Sequence, residues 1–210
     1  MLRGQRLRAV RGGRSVAGAM SAPAPNLSPL VRRYSLDEFF ALSDPPGGGH
    51  YELIAGVLYM VPPPEWPHNI SGARLNRVLS RYQDAHADRC ELFVPRTPIW
   101  TPRDTYLEPD LMLVTAERLA GLDRGRITSA DLVVEIHSPG SSVYDRTTKA
   151  DTYAALGVAE YWLADPEARR LEQRLLRDGR LEVAAVSSGT EPIVSPVFPG
   201  LRVSAADVFS

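Results

Sequence analysis

Two short apolar runs, "PDLMLV" (residues 109–114) and "DLVVEI" (131–136), most constrain what this chain can fold into. Each is too short for a buried helix. Neither alternates apolar with polar residues, so both read as strands covered on both faces. Such strands need layers above and below them, which points to an α/β (α+β) domain with a mixed sheet between helices. The rest of the chain supplies matching elements. "YSLDEFFALS" carries Ser35 and Glu38 at the spacing of a capping box, which opens a short helix. "HYELIAGVLYMV" reads as two strands about a tight Ala55-Gly56 turn. "PPPEWP" reads as an extended turn, after which residues 68–86 have helical apolar spacing. "CELFVP", "TPIWT" and "AEYWLAD" read as strands, and residues 142–156 as an amphipathic helix ended by Gly157. A hairpin turns at Asp178-Gly179, and a last short helix is capped at Ser204.

Three acids sit where acids are expensive. Glu52 lies inside the first strand, Asp110 opens "PDLMLV", and Glu135 lies near the end of "DLVVEIHSP". A strand side chain points to one definite face, and an unpaired buried charge costs several kcal/mol. Each acid therefore needs a cation, a hydrogen-bond network or an exposed strand end. Arginine pairing meets that need; so does Mg²⁺, a hard cation held by one or two carboxylates, waters and phosphate oxygens.

Lys149 is the only lysine in 210 residues, against 23 arginines. Arginine never loses its proton and presents a wide planar fork, whereas lysine is a compact charge sensitive to its surroundings. A surface ion pair tolerates arginine, so a retained lysine suggests close-quarters chemistry on water or phosphate. The plainer alternative is an i,i+4 helix pair with Asp145.

"YELIAGVL", "EPDLMLV", "DLVVEIHSP", "DRTTKADTYAALGVAEYWLADP" and "FPGL", in this order over residues 34–210, resemble the Uma-type family of bacterial restriction-endonuclease-like proteins. That family is placed in the PD-(D/E)xK nuclease superfamily. The resemblance implies a restriction-endonuclease-like mixed β-sheet core flanked by helices, and a Mg²⁺- (or Mn²⁺-) dependent endonuclease acting on DNA. It makes Asp110 the "PD" aspartate, Glu135 the (D/E) acid and Glu52 an early acid completing the metal site. The superfamily lysine would stand two residues after Glu135, where this chain has His137. The resemblance moves that lysine to Lys149 on the following helix, with Tyr153 one turn on as an accessory. His137 is then a hydrogen-bond partner of the site or merely a strand-end residue. His68 matches a family histidine, with a helix-cap or loop role equally open.

Charge divides the chain. Residues 1–36 hold seven arginines and no acid, and residues 37–210 carry 17 basic and 25 acidic side chains, a net of −8. An acidic domain counts against a broad electrostatic grip on nucleic acid. It lends weight to a rival reading: a nuclease-fold domain that binds a protein or nucleic acid without cutting. Residues 1–33 read as a disordered, basic and Pro-rich extension, with Met20 as an alternative start, ahead of one domain over 34–210. No apolar run approaches the roughly 18–20 residues that cross a bilayer. The single Cys90 excludes an internal disulfide and points to the cytoplasm. DNA is the expected partner, and a homodimer formed by strand-edge pairing is compatible with the fold.

Overall fold

The computed structural model describes residues 31–122, 126–138 and 144–210. Nearly all of the expected extension, residues 1–30, lies outside the described residues.

Helix α1 (Leu36–Phe40) begins at Ser35, whose side chain and that of Glu38 cap each other's backbone N–H groups. Strands β1 (His50–Ile54) and β2 (Val57–Val61) form a hairpin through Ala55 and Gly56, both at positive φ. At Gly49 a Cβ would lie 2.2 Å from the carbonyl oxygen of Val61, so only glycine lets the hairpin close there. Helix α2 (Trp66–Ala85) starts two residues earlier than the apolar spacing suggests. The "WP" of "PPPEWP" forms its first turn instead of an extended one. Proline is harmless there because first-turn N–H groups have no helical acceptor anyway.

Strands β3 (Cys90–Phe93), β4 (Ile99–Thr101), β5 (Thr105–Leu107), β6 (Leu111–Thr115) and β7 (Leu132–Ile136) follow, with helix α3 (Ala116–Ala120) after β6. A π-turn, Asp145–Lys149, runs into helix α4 (Ala150–Ala155) and then β8 (Glu160–Asp165). Strands β9 (Arg170–Arg177) and β10 (Arg180–Ser187) form the expected hairpin. Asp178 and Gly179 at its tip both have positive φ, as a two-residue turn between twisted strands requires. Strands β11 (Pro192–Val194) and β12 (Arg202–Ser204) pair before helix α5 (Ala205–Phe209), which is capped by Ser204.

The principal sheet has the order β10-β9-β8-β7-β6-β3, and only β7 and β8 run parallel. This is the mixed sheet expected, with the two apolar runs at its centre. A second sheet, β2-β1-β5-β4, was not foreseen: β1, β2 and β4 were expected as strands, but β5, which joins them, is three residues long and too short for a periodic signal. Alternation along β7 divides the core. Leu132, Val134 and Ile136 pack with Leu75 and Leu79 of α2, Trp162 and Val208. Val133 packs on the other side with Tyr153 of α4, Tyr161, Ile54 and Leu107. Glu135 shares the parity of Val133, so it points toward α4 and the second sheet.

Candidate active site

Register brings the two central acids together. In the antiparallel pair β6/β7, Leu111 faces Val134 and Met112 faces Val133. One step further, the same register sets Asp110 opposite Glu135. The Asp110 carboxylate bridges back to β7: Oδ2 accepts from the Ile136 backbone N–H at 2.7 Å. His68, in the first turn of α2, places Nε2 3.2 Å from the same oxygen.

Glu52 reaches this place from the other sheet and is wholly buried. Its Oε1 accepts from the Glu108 backbone N–H at 2.9 Å, and its Oε2 from the Tyr144 hydroxyl at 2.9 Å. The Lys149 ammonium lies between sheets, 3.2 Å from Glu52 Oε2 and 3.0 Å from Glu135 Oε1. Tyr153, one turn on, donates to Glu135 Oε1 at 2.6 Å. Lys149 and Tyr153 thus converge on one carboxylate oxygen, as i,i+4 neighbours can.

Two details were not legible in advance. The segment before Ala150 is a π-turn, where an α-helix was expected. In an α-helix Tyr144 and Lys149 would point about 140° apart, at about 100° per residue. The i→i+5 winding of the π-turn brings both onto Glu52. The Tyr144 ring also stacks on Tyr59, with centroids 4.6 Å apart. Neither Tyr144 nor Glu108 carried a sequence signal, because both act through a neighbouring sheet.

The electrostatics follow from burial. Burial alone would raise the Glu52 carboxyl, but the Lys149 ammonium, His50 and the Glu108 N–H outweigh it and hold the group down at about 2. Burial would lower the Lys149 ammonium, and Glu135 and Glu52 overcome this and hold it well above the usual lysine range. Lys149 is therefore a fixed cation. Burial pushes the Glu135 carboxyl well up, opposed by Lys149 and reinforced by Asp110, Asp145 and Glu52. Burial and the neighbouring carboxylates also raise the Tyr144 and Tyr153 phenols, so both remain hydrogen-bond donors.

Among the described residues no group of three His, Cys, Asp or Glu side chains is placed to hold a metal ion, Glu52, Asp110 and Glu135 included. Lys149 stands between Glu52 and Glu135, and both Glu52 oxygens are engaged with protein donors. Buried among those donors, Glu52 anchors the lysine. His137 lies apart from the cavity lining; its Nδ1 is 3.6 Å from Asp145 Oδ2, beyond hydrogen-bond reach, in keeping with a strand-end residue. Asp110, Glu135, Lys149 and His68 all border one cavity of about 430 Å³.

A family model described as "Uma2: Putative restriction endonuclease" matches residues 36–206. The chain belongs to the Uma2 family. A solved structure described as a putative nuclease belonging to DUF820, from Anabaena variabilis, is similar to this chain at 21% identity and a TM-score of 0.66. The match covers 84% of this chain and 97% of that one, so the Uma2 fold here is a nuclease-like fold. The type IIG restriction endonuclease BpuSI overlaps more loosely, at 16% identity and a TM-score of 0.34 over 53% of this chain and 11% of its own. No curated protein matches the chain. No helix among the described residues is long and apolar enough to cross a membrane.

Proposed function

We propose that this Uma2 protein is a divalent-metal-dependent endonuclease that hydrolyses phosphodiester bonds of DNA, with Mg²⁺ or Mn²⁺ as its metal. One observation carries the reading: Asp110 and Glu135 meet across adjacent strands at the wall of a cavity that the buried Lys149 ammonium also borders.

The donor set suits a small hard cation. Mg²⁺ binds through one or two carboxylates and completes its shell with water and phosphate oxygens. Asp110 and Glu135 would hold it. Asp110 is among the groups that raise Glu135, a repulsion that a shared cation would relieve. When bound, the metal would polarise the scissile phosphate and acidify an attacking water.

The protein's own residues have separate tasks. Lys149 supplies positive charge to the phosphate as negative charge develops on it, and to the water that attacks. Glu52 and Tyr144 keep that ammonium in place from behind. Tyr153 fixes Glu135 through Oε1, and His68 fixes Asp110 through Oδ2. The single thiol, Cys90, is buried, in keeping with a reducing cytoplasm as the proposed location. Edge strands β3 and β10 are the proposed route to any homodimer.

The test is cleavage of plasmid DNA with Mg²⁺ and with EDTA, alongside melting curves. Mg²⁺ should permit cutting and raise the melting temperature, since a ligand bound only to the native state stabilises it. Asp110→Asn and Glu135→Gln should lose both effects. Equal metal stabilisation of wild type and both variants would reject the site. The non-cutting alternative draws on the net charge of −8 over residues 37–210, and DNA binding without Mg²⁺-dependent cleavage would select it.

A further inference from the structure

The cavity contains a second polar pair that the proposed chemistry does not use. Glu108 is only 7% exposed, yet its Oε2 has no hydrogen-bond partner. His50 Nε2, 3.8 Å from that oxygen and 4.0 Å from Glu52 Oε1, is also buried and makes no hydrogen bond. The Arg96 Nε, at 3.6 Å from Glu108 Oε2, is too distant to satisfy it. The other oxygen, Oε1, accepts from the Tyr106 hydroxyl at 3.4 Å. Native proteins rarely leave a buried carboxylate oxygen without a hydrogen bond, so this one, on a cavity wall, asks for a donor from outside.

The cavity's dimensions and lining say what could bring it. About 430 Å³ falls within the range of pockets that enclose small molecules, and is more than a backbone phosphate alone requires. Tyr59, Met60, Val61, Pro62 and Pro95 supply an apolar lining suited to a flat ring. The Glu108 backbone N–H binds the same Glu52 that anchors Lys149, so the second polar pair and the ammonium share one support.

We propose that Glu108 and His50 form a base-binding subsite, which takes an unpaired nucleotide carrying an exocyclic amino group next to the phosphate under attack. This rests on the nuclease reading and specifies its substrate: a single-stranded or extruded nucleotide, since a base inside a duplex cannot enter a cavity. The free Oε2 of Glu108 is a hydrogen-bond acceptor. It suits the amino groups of cytosine and adenine. It disfavours thymine or uracil, whose ring N–H is flanked by carbonyl oxygens.

The experiment is fluorescence anisotropy of the full chain, without added metal, on labelled single-stranded dC, dA and dT oligomers, on rC and rU oligomers, and on a duplex. Plasmid cleavage with Mg²⁺ runs in parallel. Wild type should bind dC and dA about tenfold tighter than dT, the effect of one good charge-assisted hydrogen bond. Single strands should bind tighter than duplex. Glu108→Gln keeps the shape and adds an amide donor, so the preference should shrink to about twofold or reverse. The same preference in the ribose series, rC over rU, would assign the recognition to the base whatever the sugar.

Equal affinity of wild type for amino-bearing and carbonyl-bearing strands in both sugar series would overturn the subsite, as would tighter duplex binding. An unchanged preference in Glu108→Gln with a wild-type melting curve would also overturn it. The wild-type comparison needs no variant, so a poorly folded Glu108→Gln does not remove the test. Mg²⁺-dependent cutting with no base preference would leave the nuclease reading standing and the subsite refuted. A base preference without cutting would do the reverse.

Discussion

Two buried glutamates on neighbouring parallel strands have opposite fates. Glu160 opens β8 and receives donors that are all neutral: Trp162 Nε1 at 2.5 Å, Gln173 Nε2 at 2.6 Å and the Ser195 hydroxyl. Glu135, near the end of β7, shares one oxygen between a phenol and an ammonium and borders a cavity with Asp110 and Glu52 close by. The Glu160 network ties β8 to β9 and to Ser195 after β11, and its donors are saturated within the protein. The Glu135 cluster combines a fixed cation with crowded carboxylates at a solvent-reachable wall. Burial of an acid on a strand is thus common to both places. A cation and an opening distinguish the one proposed for chemistry.

The largest effect expected from this contrast is on Lys149→Met. It strands the buried Glu52 charge, and removing one partner of a buried pair costs about 3–5 kcal/mol. Urea unfolding should show that loss together with loss of Mg²⁺-dependent cleavage. A variant as stable as wild type would show that Glu52 does not depend on the lysine.

Lys149→Arg comes next. It keeps the charge, but the guanidinium must fit a buried gap between carboxylates 3.0 and 3.2 Å from the present ammonium. Overpacking should cost about 1–3 kcal/mol. Cleavage should fall by roughly two orders of magnitude, as expected of a misplaced group. Equal activity of the arginine variant in the same assay would return Lys149 to a structural role. Had the lysine been an exposed partner of Asp145, the swap would barely affect stability; its burial is why a measurable loss is expected.

Glu160→Gln should be milder, losing about 1–3 kcal/mol as donors are left without an acceptor. It also isolates a smaller pH effect. Burial raises the Glu160 carboxyl, and its three side-chain hydrogen bonds offset this only in part. The native state therefore holds this proton more tightly than the unfolded chain. The group's contribution to stability is full below its ordinary pKa and is lost as pH rises through the folded value. Chemical unfolding between pH 4 and 7 should show this increment in wild type and not in Glu160→Gln. Identical pH slopes in the two proteins would mean that burial does not raise Glu160.

The sequence by itself determined most of the local structure and singled out the candidate groups. The capping box at Ser35, the Ala55-Gly56 and Asp178-Gly179 turns, the buried strands β6 and β7 and the acids Asp110 and Glu135 all rest on short-range rules. Backbone sterics, side-chain alternation and the cost of burying charge operate within a few residues of each other. The lone Lys149 was visible for a similar reason, as a chemical exception in an arginine-rich chain. Tertiary structure alone decided what these groups do to one another. It put Glu52 on a separate sheet and behind Lys149, with both carboxylate oxygens engaged by protein donors. It wound Asp145–Lys149 as a π-turn, bringing Tyr144 to the same carboxylate, and left Glu108 Oε2 and His50 Nε2 without a hydrogen bond on the cavity wall. Those outcomes depend on which elements pack against which, over separations of up to 97 residues between Glu52 and Lys149. No local period or propensity encodes such contacts.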